Sequence, residues 1–496
     1  MLRAAAVLLV VWLPFADGAG EGLEIHRDDL NFSGGAEAAI PLRVPEGSTA
    51  LIWQTNLRGA VLQKGTLDLP AGARQAEFRV TCPQVRLAAE MTVWVEVLPG
   101  RAEAQVRLKV FPPFDGGASR DVAGKLRIGL AETEPRLARF FDLTQAEHVP
   151  ASTRLALQSF SGGALIVDGG WLADPGRELE TELRAFLKQG GKILCLRPPV
   201  GGGVLESAEA GMAMASDPAM VADPRHRLAA SANLLNGWRG WPVAKRQEPA
   251  STVSLLNQRV ILVQGGHAVL EERWPVEGGR VLLLDLPVAE RLADEPAAAR
   301  LLEACLEDLA LAQGPAWTGA ASHLPREHAF SKILRRLGVQ TSAPKGEVPS
   351  RPGVLFVAPD DSGSEVLRKV EAWLDAGGHV VTPLVGACRG PTEGLVEDEL
   401  ARGVPLSWCT RLASDLPDGA TPLSSPLFGK KGQAVLPGVA ERYPCGKGFV
   451  YLLRLGREEQ LRGGLWLRWL SVLMTNLGVR LGSAGTEMDG KGAERR

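Results

Sequence analysis

Four charged side chains and one indole stand where apolar runs of this chain stop. Glu132 follows KLRIGLA, Asp168 ends ALIVD with Trp171 three residues on, Arg197 follows KILCL, and Asp285 follows RVLLL. Carboxylates exchange protons and accept hydroxyl hydrogen bonds, a guanidinium grips polar groups, and an indole stacks on a sugar ring. If the apolar runs are parallel strands, their carboxyl ends form the edge at which open α/β sheets bind ligands. Glu132, Asp168, Trp171, Arg197 and Asp285 are therefore the ligand-binding candidates, for a sugar or another polar metabolite. Asp168 and Asp285 would be the acid and base of a hydrolase if their carboxyls stood about 5–10 Å apart across a cleft. The competing reading is an Arg–carboxylate network that neutralises charge at a domain junction.

Other reactive residues lack useful spacing. Cys82, Cys195, Cys305, Cys388, Cys409 and Cys445 contain no CxxC pair, so no metal is expected. Cys388, Cys409 and Cys445 leave room for one disulfide, with the pair open. His323-Leu-Pro-Arg-Glu-His328 has the wrong spacing, and a proline, for two metal ligands on one helix face. Gly201-Gly202-Gly203 lacks the lysine of a phosphate-binding loop, and Glu178, Glu180 and Glu182 read as an exposed helix face.

The elements that would carry the candidates are legible. GGALIVDGG, WLADPGRELETELRAFLKQGG and KILCLRPP read strand, helix, strand, the helix marked by Leu179, Leu183, Phe186 and Leu187 and ended by Gly190-Gly191. The order recurs as GVLFVAPDD, SEVLRKVEAWLDAGG and HVVTPLVG. Further on, Glu272-Arg273-Trp274-Pro275 parallels Glu441-Arg442-Tyr443-Pro444, and each is followed by a strand and a closing helix. This is a tandem duplication of an α/β unit. Arg468 interrupts the last apolar helix, which reads as buried rather than membrane-spanning. Residues 201–249, with Trp238 and Trp241, form an irregular insertion. AAIPLRV, ALIWQTNL, AEFRVTC, MTVWVEVL and AQVRLKVF, upstream, are short strands of an immunoglobulin-like β-sandwich without its Cys-Trp-Cys framework.

The expected architecture is thus multidomain: an all-β sandwich, then two three-layer, flavodoxin-like α/β domains on parallel sheets. The divisions are 1–20 (signal peptide), 21–115 (sandwich), 124–315 and 322–482 (α/β copies), and 483–496 (disordered tail). Met1-Leu2-Arg3, the apolar run from Ala4 to Phe15 and the small residues after it make the leader cleavable. The mature chain would be secreted or periplasmic, with no membrane span. The 496 residues are 45% hydrophobic and 23% charged, a globular composition, and the formal charge of -2 argues against nucleic acid as a partner.

A strand, a helix closed by Gly-Gly, and an apolar strand entering a sharp turn resemble the core of class I glutamine amidotransferase-like domains. The resemblance spans roughly Lys125 to Leu481 and implies a Gly-x-Cys-x-Gly nucleophile elbow at the turn, with a His and a carboxylate from a later strand. Here Arg197 stands at the nucleophile position of the first copy and Leu384 at that of the second, while Cys195 falls two residues early inside its strand. The later strands end in Leu284-Asp285-Leu286-Pro287 and Leu453-Arg454-Leu455-Gly456, with no histidine. The thiol chemistry is lost from both copies. The architecture is also similar to accessory regions of secreted proteins related to β-galactosidase-type glycoside hydrolases, without the (β/α)-barrel that houses their acid pair.

The resemblance implies a non-catalytic binding or assembly protein, needing no cofactor and associated with polysaccharide processing. Carbohydrate or a protein is its expected partner, and an oligomer is compatible. A glycoside or amide hydrolase and a subunit of envelope machinery are the alternatives.

Overall fold

The structure, a computed structural model, describes residues 23–25, 31–100, 102–112, 117–199, 204–206, 219–230, 257–264, 267–293, 295–311, 314–343, 352–359, 363–419, 432–462 and 464–482. The expected leader, the disordered tail, the Gly201–Gly203 turn and Trp238 and Trp241 of the insertion lie outside the described residues. The chain divides into two compact units, Met1–Pro113 and Phe114–Arg496.

The first unit is all-β. Asn31–Ser33, Ala102–Phe111, Ala89–Leu98, Ala50–Leu57 and Ala60–Asp68 lie side by side in that order, and Glu24–Ile25, Glu37–Arg43 and Gln75–Thr81 form a second sheet. Period-two alternation sends Ile40, Leu42, Phe78 and Val80 from the small sheet, and Leu51, Met91, Val93 and Leu108 from the large one, into one shared core. Trp53 stacks on Phe78, with ring centroids 5.1 Å apart.

The second unit holds both α/β copies. In the first copy Val149–Pro150, Ile128–Ala131, Ala164–Asp168, Lys192–Leu196 and Arg280–Leu284 run parallel in that spatial order. His267–Trp274, Asn257–Gln264 and Ala219–Val221 extend this sheet antiparallel. The second copy repeats the order and the directions: Thr341–Ser342, Ala320–Ser322, Val354–Phe356, His379–Val385 and Gly448–Leu455, then Ala440–Cys445 and Gln433–Leu436 antiparallel. The sheets are therefore mixed, where parallel sheets were expected. Strands linked by only a few residues can pair only antiparallel, because a parallel link needs a long crossover.

The duplication is structural as well as sequential, but its alignment shifts by one residue in the late part. Counting from the Gly-Gly that precedes Lys192 and His379, Leu283 occupies the place of Leu452. Leu283 pairs with Glu271 and Leu452 with Glu441, so Glu271 rather than Glu272 is the counterpart of Glu441. The connection between paired Arg273 and Val281 is one residue longer than that between Tyr443 and Val450, and a one-residue slip moves every side chain to the other face. Glycine is required in both connections: a Cβ on Gly279 would lie 2.4 Å from the Gly191 carbonyl oxygen, and one on Gly448 would lie 2.0 Å from that of Gly378.

The halves share a core. Val260, Val263 and Ala268 of the first pack with Trp408, Leu412, Trp469 and Leu473 of the second. The closing helix Gly464–Asn476 is buried along most of its length, Arg468 included. No helix among the described residues is long and apolar enough to cross a membrane. None of the six cysteines is disulfide-bonded, so the bridge for which Cys388, Cys409 and Cys445 left room is not formed. Cys409 faces the core from the helix Leu406–Ser414, and burial pushes its thiol up to about 12.

Candidate functional site

Among the parallel strands of the first copy, chain order runs outward in both directions from Ile128–Ala131. The crevice between its carboxyl end and that of Ala164–Asp168 is the switch point at which such sheets bind ligands. A cavity of about 550 Å³ opens there, lined by Glu132, Glu134, Arg136, Asp168, Gly169, Gly170, Arg197 and Glu290 among others. The sheet thus brings Glu132, Asp168 and Arg197 together. Glu290, on the short helix Val288–Arg291, was missed: it has no strand end to mark it, and only the fold carries it there.

Each side chain is held by a local device. Glu132 caps the helix Arg136–Leu143, its carboxylate accepting the backbone N–H groups of Leu137 and Ala138 at 2.8 and 3.0 Å. Arg197 has φ +53°, a left-handed conformation uncommon for a residue with a Cβ, so the strand Lys192–Leu196 ends in a sharp, strained turn. Its guanidinium Nη1 donates to Glu290 at 3.4 Å. The turn presses on the neighbouring strand end, where a Cβ on Gly169 would lie 1.7 Å from the Arg197 carbonyl oxygen. Only glycine fits there.

Asp168, like Glu132 and Arg197, is half-buried. Burial raises its carboxyl above the ordinary aspartate range, and the charges of Glu290 and Glu132 raise it further; the backbone N–H of Trp171 and the charge of Arg136 oppose them. The cavity has four carboxylates, Glu132, Glu134, Asp168 and Glu290, against two guanidiniums, Arg136 and Arg197. It is an acidic cleft, suited to ligands that donate hydrogen bonds or carry positive charge.

Two candidates lie elsewhere. Trp171 is buried in the core of the first copy, its indole N–H donating to the Ser152 carbonyl at 3.1 Å, so it offers no open face. Asp285 is buried and outside the cavity lining; its backbone N–H donates to the Val269 carbonyl. Cys195 is fully buried, its thiol donating to the Leu205 carbonyl. His328 caps the helix Ala329–Arg336. Glu182 is only 11% exposed and pairs with Arg154 at 2.9 Å, which corrects its reading as part of an open acidic face.

The matching strand ends of the second copy carry no charged residue among those described. Strand register places Leu324 where the first copy has Glu132, Ala358 where it has Asp168, and Leu384 where it has Arg197. The left-handed residue has moved to Gly386, one past the end of the longer strand His379–Val385.

A buried trio, His226, Glu272 and Asp308, brings its ligand atoms within 4.8 Å of one another. The cation among them is Arg280, whose guanidinium donates to both carboxylates. Burial alone would raise Glu272, but the His226 hydrogen bond and Arg280 hold it below the usual range.

No family model and no curated protein matches the chain. Among solved structures, the chain is similar over 18% of its length to a CARDB domain from Pyrococcus furiosus, solved with two metal ions, at 16% identity, 93% coverage of that domain and TM-score 0.15. A sialyltransferase from Photobacterium damsela matches over 34% of this chain and 41% of its own, at 9% identity and TM-score 0.15. Beta-glucuronidase 2 of Bacteroides uniformis matches over 35% of this chain and 27% of its own, at 14% identity and TM-score 0.13. The chain spans less than half the length of each of these two enzymes. At these scores no neighbour carries an argument about this protein.

Proposed function

We propose that this chain is a non-catalytic binding protein whose first α/β half holds a small hydrogen-bond-donating ligand, a sugar or another polar metabolite, in the acidic cleft. The observation that carries the reading is Arg197. It stands at the strained turn where an amidotransferase-like domain would present its thiol, and its guanidinium is tied to Glu290 across the cleft. The strand order and that turn support kinship with class I glutamine amidotransferase-like domains, with a guanidinium in place of the nucleophile. Nothing at this turn can form a covalent acyl intermediate. What remains is a cleft whose carboxylates accept hydroxyl or ammonium hydrogens and whose guanidiniums fix orientation. The acid excess favours amino sugars and neutral sugars over uronic acids.

In this reading the sandwich is a spacer or packing module of immunoglobulin-like type, the second half is a structural partner, and the apolar leader exports the chain to the periplasm or beyond. Polysaccharide processing and envelope assembly are the settings it would serve. The test is a glycan array followed by calorimetry on the full chain. Saturable binding of an amino or neutral sugar, lost in Asp168→Asn and in Arg197→Ala, is expected. Binding that both variants retain would place the ligand elsewhere.

The raised carboxyl of Asp168 favours a second reading, a hydrolase with Asp168 as general acid. Its base would then be Glu290 or Glu132, since Asp285 is outside the cleft lining. Turnover of aryl glycosides or amides that Asp168→Asn abolishes would establish this reading in place of binding alone.

A further inference from the structure

A second cavity, of about 620 Å³, lies at the seam between the two α/β halves. Its wall combines Arg225, Arg259 and Arg280 of the first half with Arg402 and Asn476 of the second. Arg227 lines it too, with the carboxylates Glu272, Asp308 and Glu399, so five guanidiniums face three carboxylates. Three of the five donate hydrogen bonds to carboxylates. Arg280 donates to Glu272 and Asp308, Arg225 to Glu397 and Glu399, and Arg402 to both oxygens of Asp223, at 3.3 and 3.1 Å.

Arg259 is different. Its Nε donates to the Asn476 side-chain oxygen at 3.2 Å, and its nearest carboxylate oxygen, on Asp223, is 3.9 Å away and already held by Arg402. The side chain is 13% exposed and lies over the Trp274 ring, 5.5 Å from the centroid. Trp274 also lines the cavity, and its indole N–H has no acceptor. Burial, and then the adjacent Arg402, lower the proton affinity of Arg259 against the opposing charges of Glu272, Asp223 and Glu399. A buried guanidinium whose one ion-pair partner is long and shared with Arg402 carries a desolvation cost that a bound anion would relieve.

We infer that the seam cavity binds a small oxyanion, a phosphate, sulfate or carboxylate group, through the planar fork of Arg259. The fork geometry favours oxyanions over halides, because two parallel N–H groups match two oxygens of one group. The ligand would touch both halves, so its binding would stabilise the unit in proportion to its concentration. This is a different site from the acidic cleft, of opposite charge, and it does not depend on the binding function proposed there.

The experiment is calorimetry and thermal melting of the full chain with inorganic phosphate, sulfate and acetate in turn, with sodium chloride at matched ionic strength as reference. A saturable heat and a rise in melting temperature with at least one oxyanion, and none with chloride, are expected. Arg259→Gln should weaken binding tenfold or more. Arg259→Lys, which keeps the charge and loses the fork, should weaken it less, and Arg197→Gln in the other cleft should leave it unchanged. No saturable binding of any of the three oxyanions, or binding that Arg259→Gln and Arg259→Lys both leave intact, would overturn the inference. If Arg259→Gln does not fold, the lysine variant and the chloride reference still decide it.

Discussion

Arg468, on the closing helix of the second half, donates to Glu271, on an antiparallel strand of the first, and both side chains are almost fully buried. Glu271 also accepts from Arg273 at 3.0 Å, while Arg273 reaches the Glu206 carbonyl at 2.7 Å and Arg468 lies over the Trp408 ring. A buried chain of charges therefore crosses the shared core. With the shared apolar core, it joins the two copies as halves of one unit.

Removing one partner of such a pair leaves an uncompensated buried charge. Glu271→Ala should lower the unfolding free energy of the second unit by about 3–5 kcal/mol. The double variant Glu271→Leu, Arg468→Met should lose far less than the sum of the single changes. Urea unfolding of both singles and the double, run as a cycle, checks this; additive losses would mean that the charges do not interact.

The left-handed backbone at Arg197 makes a separate prediction. Arg197→Gly and Arg197→Ala both remove the contact with Glu290, so their difference isolates the backbone. The glycine variant should be the more stable by about 1 kcal/mol, because a Cβ is strained at that φ. Equal stabilities would mean that the residue is not left-handed in solution.

Gly169 bears the opposite requirement. A methyl group there would meet the Arg197 carbonyl oxygen at 1.7 Å, so Gly169→Ala must push two strand ends apart. A loss of about 2–4 kcal/mol is expected. At Gly170 the added atom would meet only an Asp168 carboxylate oxygen at 3.0 Å, so Gly170→Ala should cost less and act mainly on ligand binding. Thermal melts of the two variants compare them directly.

The pH dependence follows from Asp168. Its carboxyl is raised in the folded state above the unfolded value of 3.8, so the folded chain binds this proton more tightly. Stability from this group is present below 3.8 and is lost as pH rises through the folded value. Asp168→Asn should therefore raise the melting temperature at neutral pH, and the gain should shrink as pH falls toward 3.8. A gain independent of pH would assign the effect to packing. Ligand binding that needs the carboxylate should fail as pH falls through that same raised value.

Thiol labelling tests the cysteine assignments. Cys388 and Cys445 are partly accessible, whereas Cys82, Cys195, Cys305 and Cys409 are buried. A thiol reagent should modify the first two in the native chain and the other four only after denaturation. Fewer than six thiols in the denatured, unreduced chain would reveal a disulfide.

The sequence by itself determined the elements and much of the site. Apolar runs of strand length, helical spacing and Gly-Gly stops are local signals, and they located the repeated strand–helix–strand units, the strand ends bearing Glu132, Asp168 and Arg197, and the buried closing helix. The strand Ala60–Asp68 was missed because it buries little apolar surface and reads as polar. Tertiary structure decided what depends on register and direction. One extra residue in a connection made Glu271, not Glu272, the match of Glu441, although the sequence aligns the ERWP and ERYP runs. A strand end shows where a side chain stands along the chain but not which wall it reaches, so Trp171 and Asp285 fell outside the cleft while Glu290 joined it. The seam cavity and Arg259 come from residues far apart in the chain, on two copies that no local pattern could place face to face.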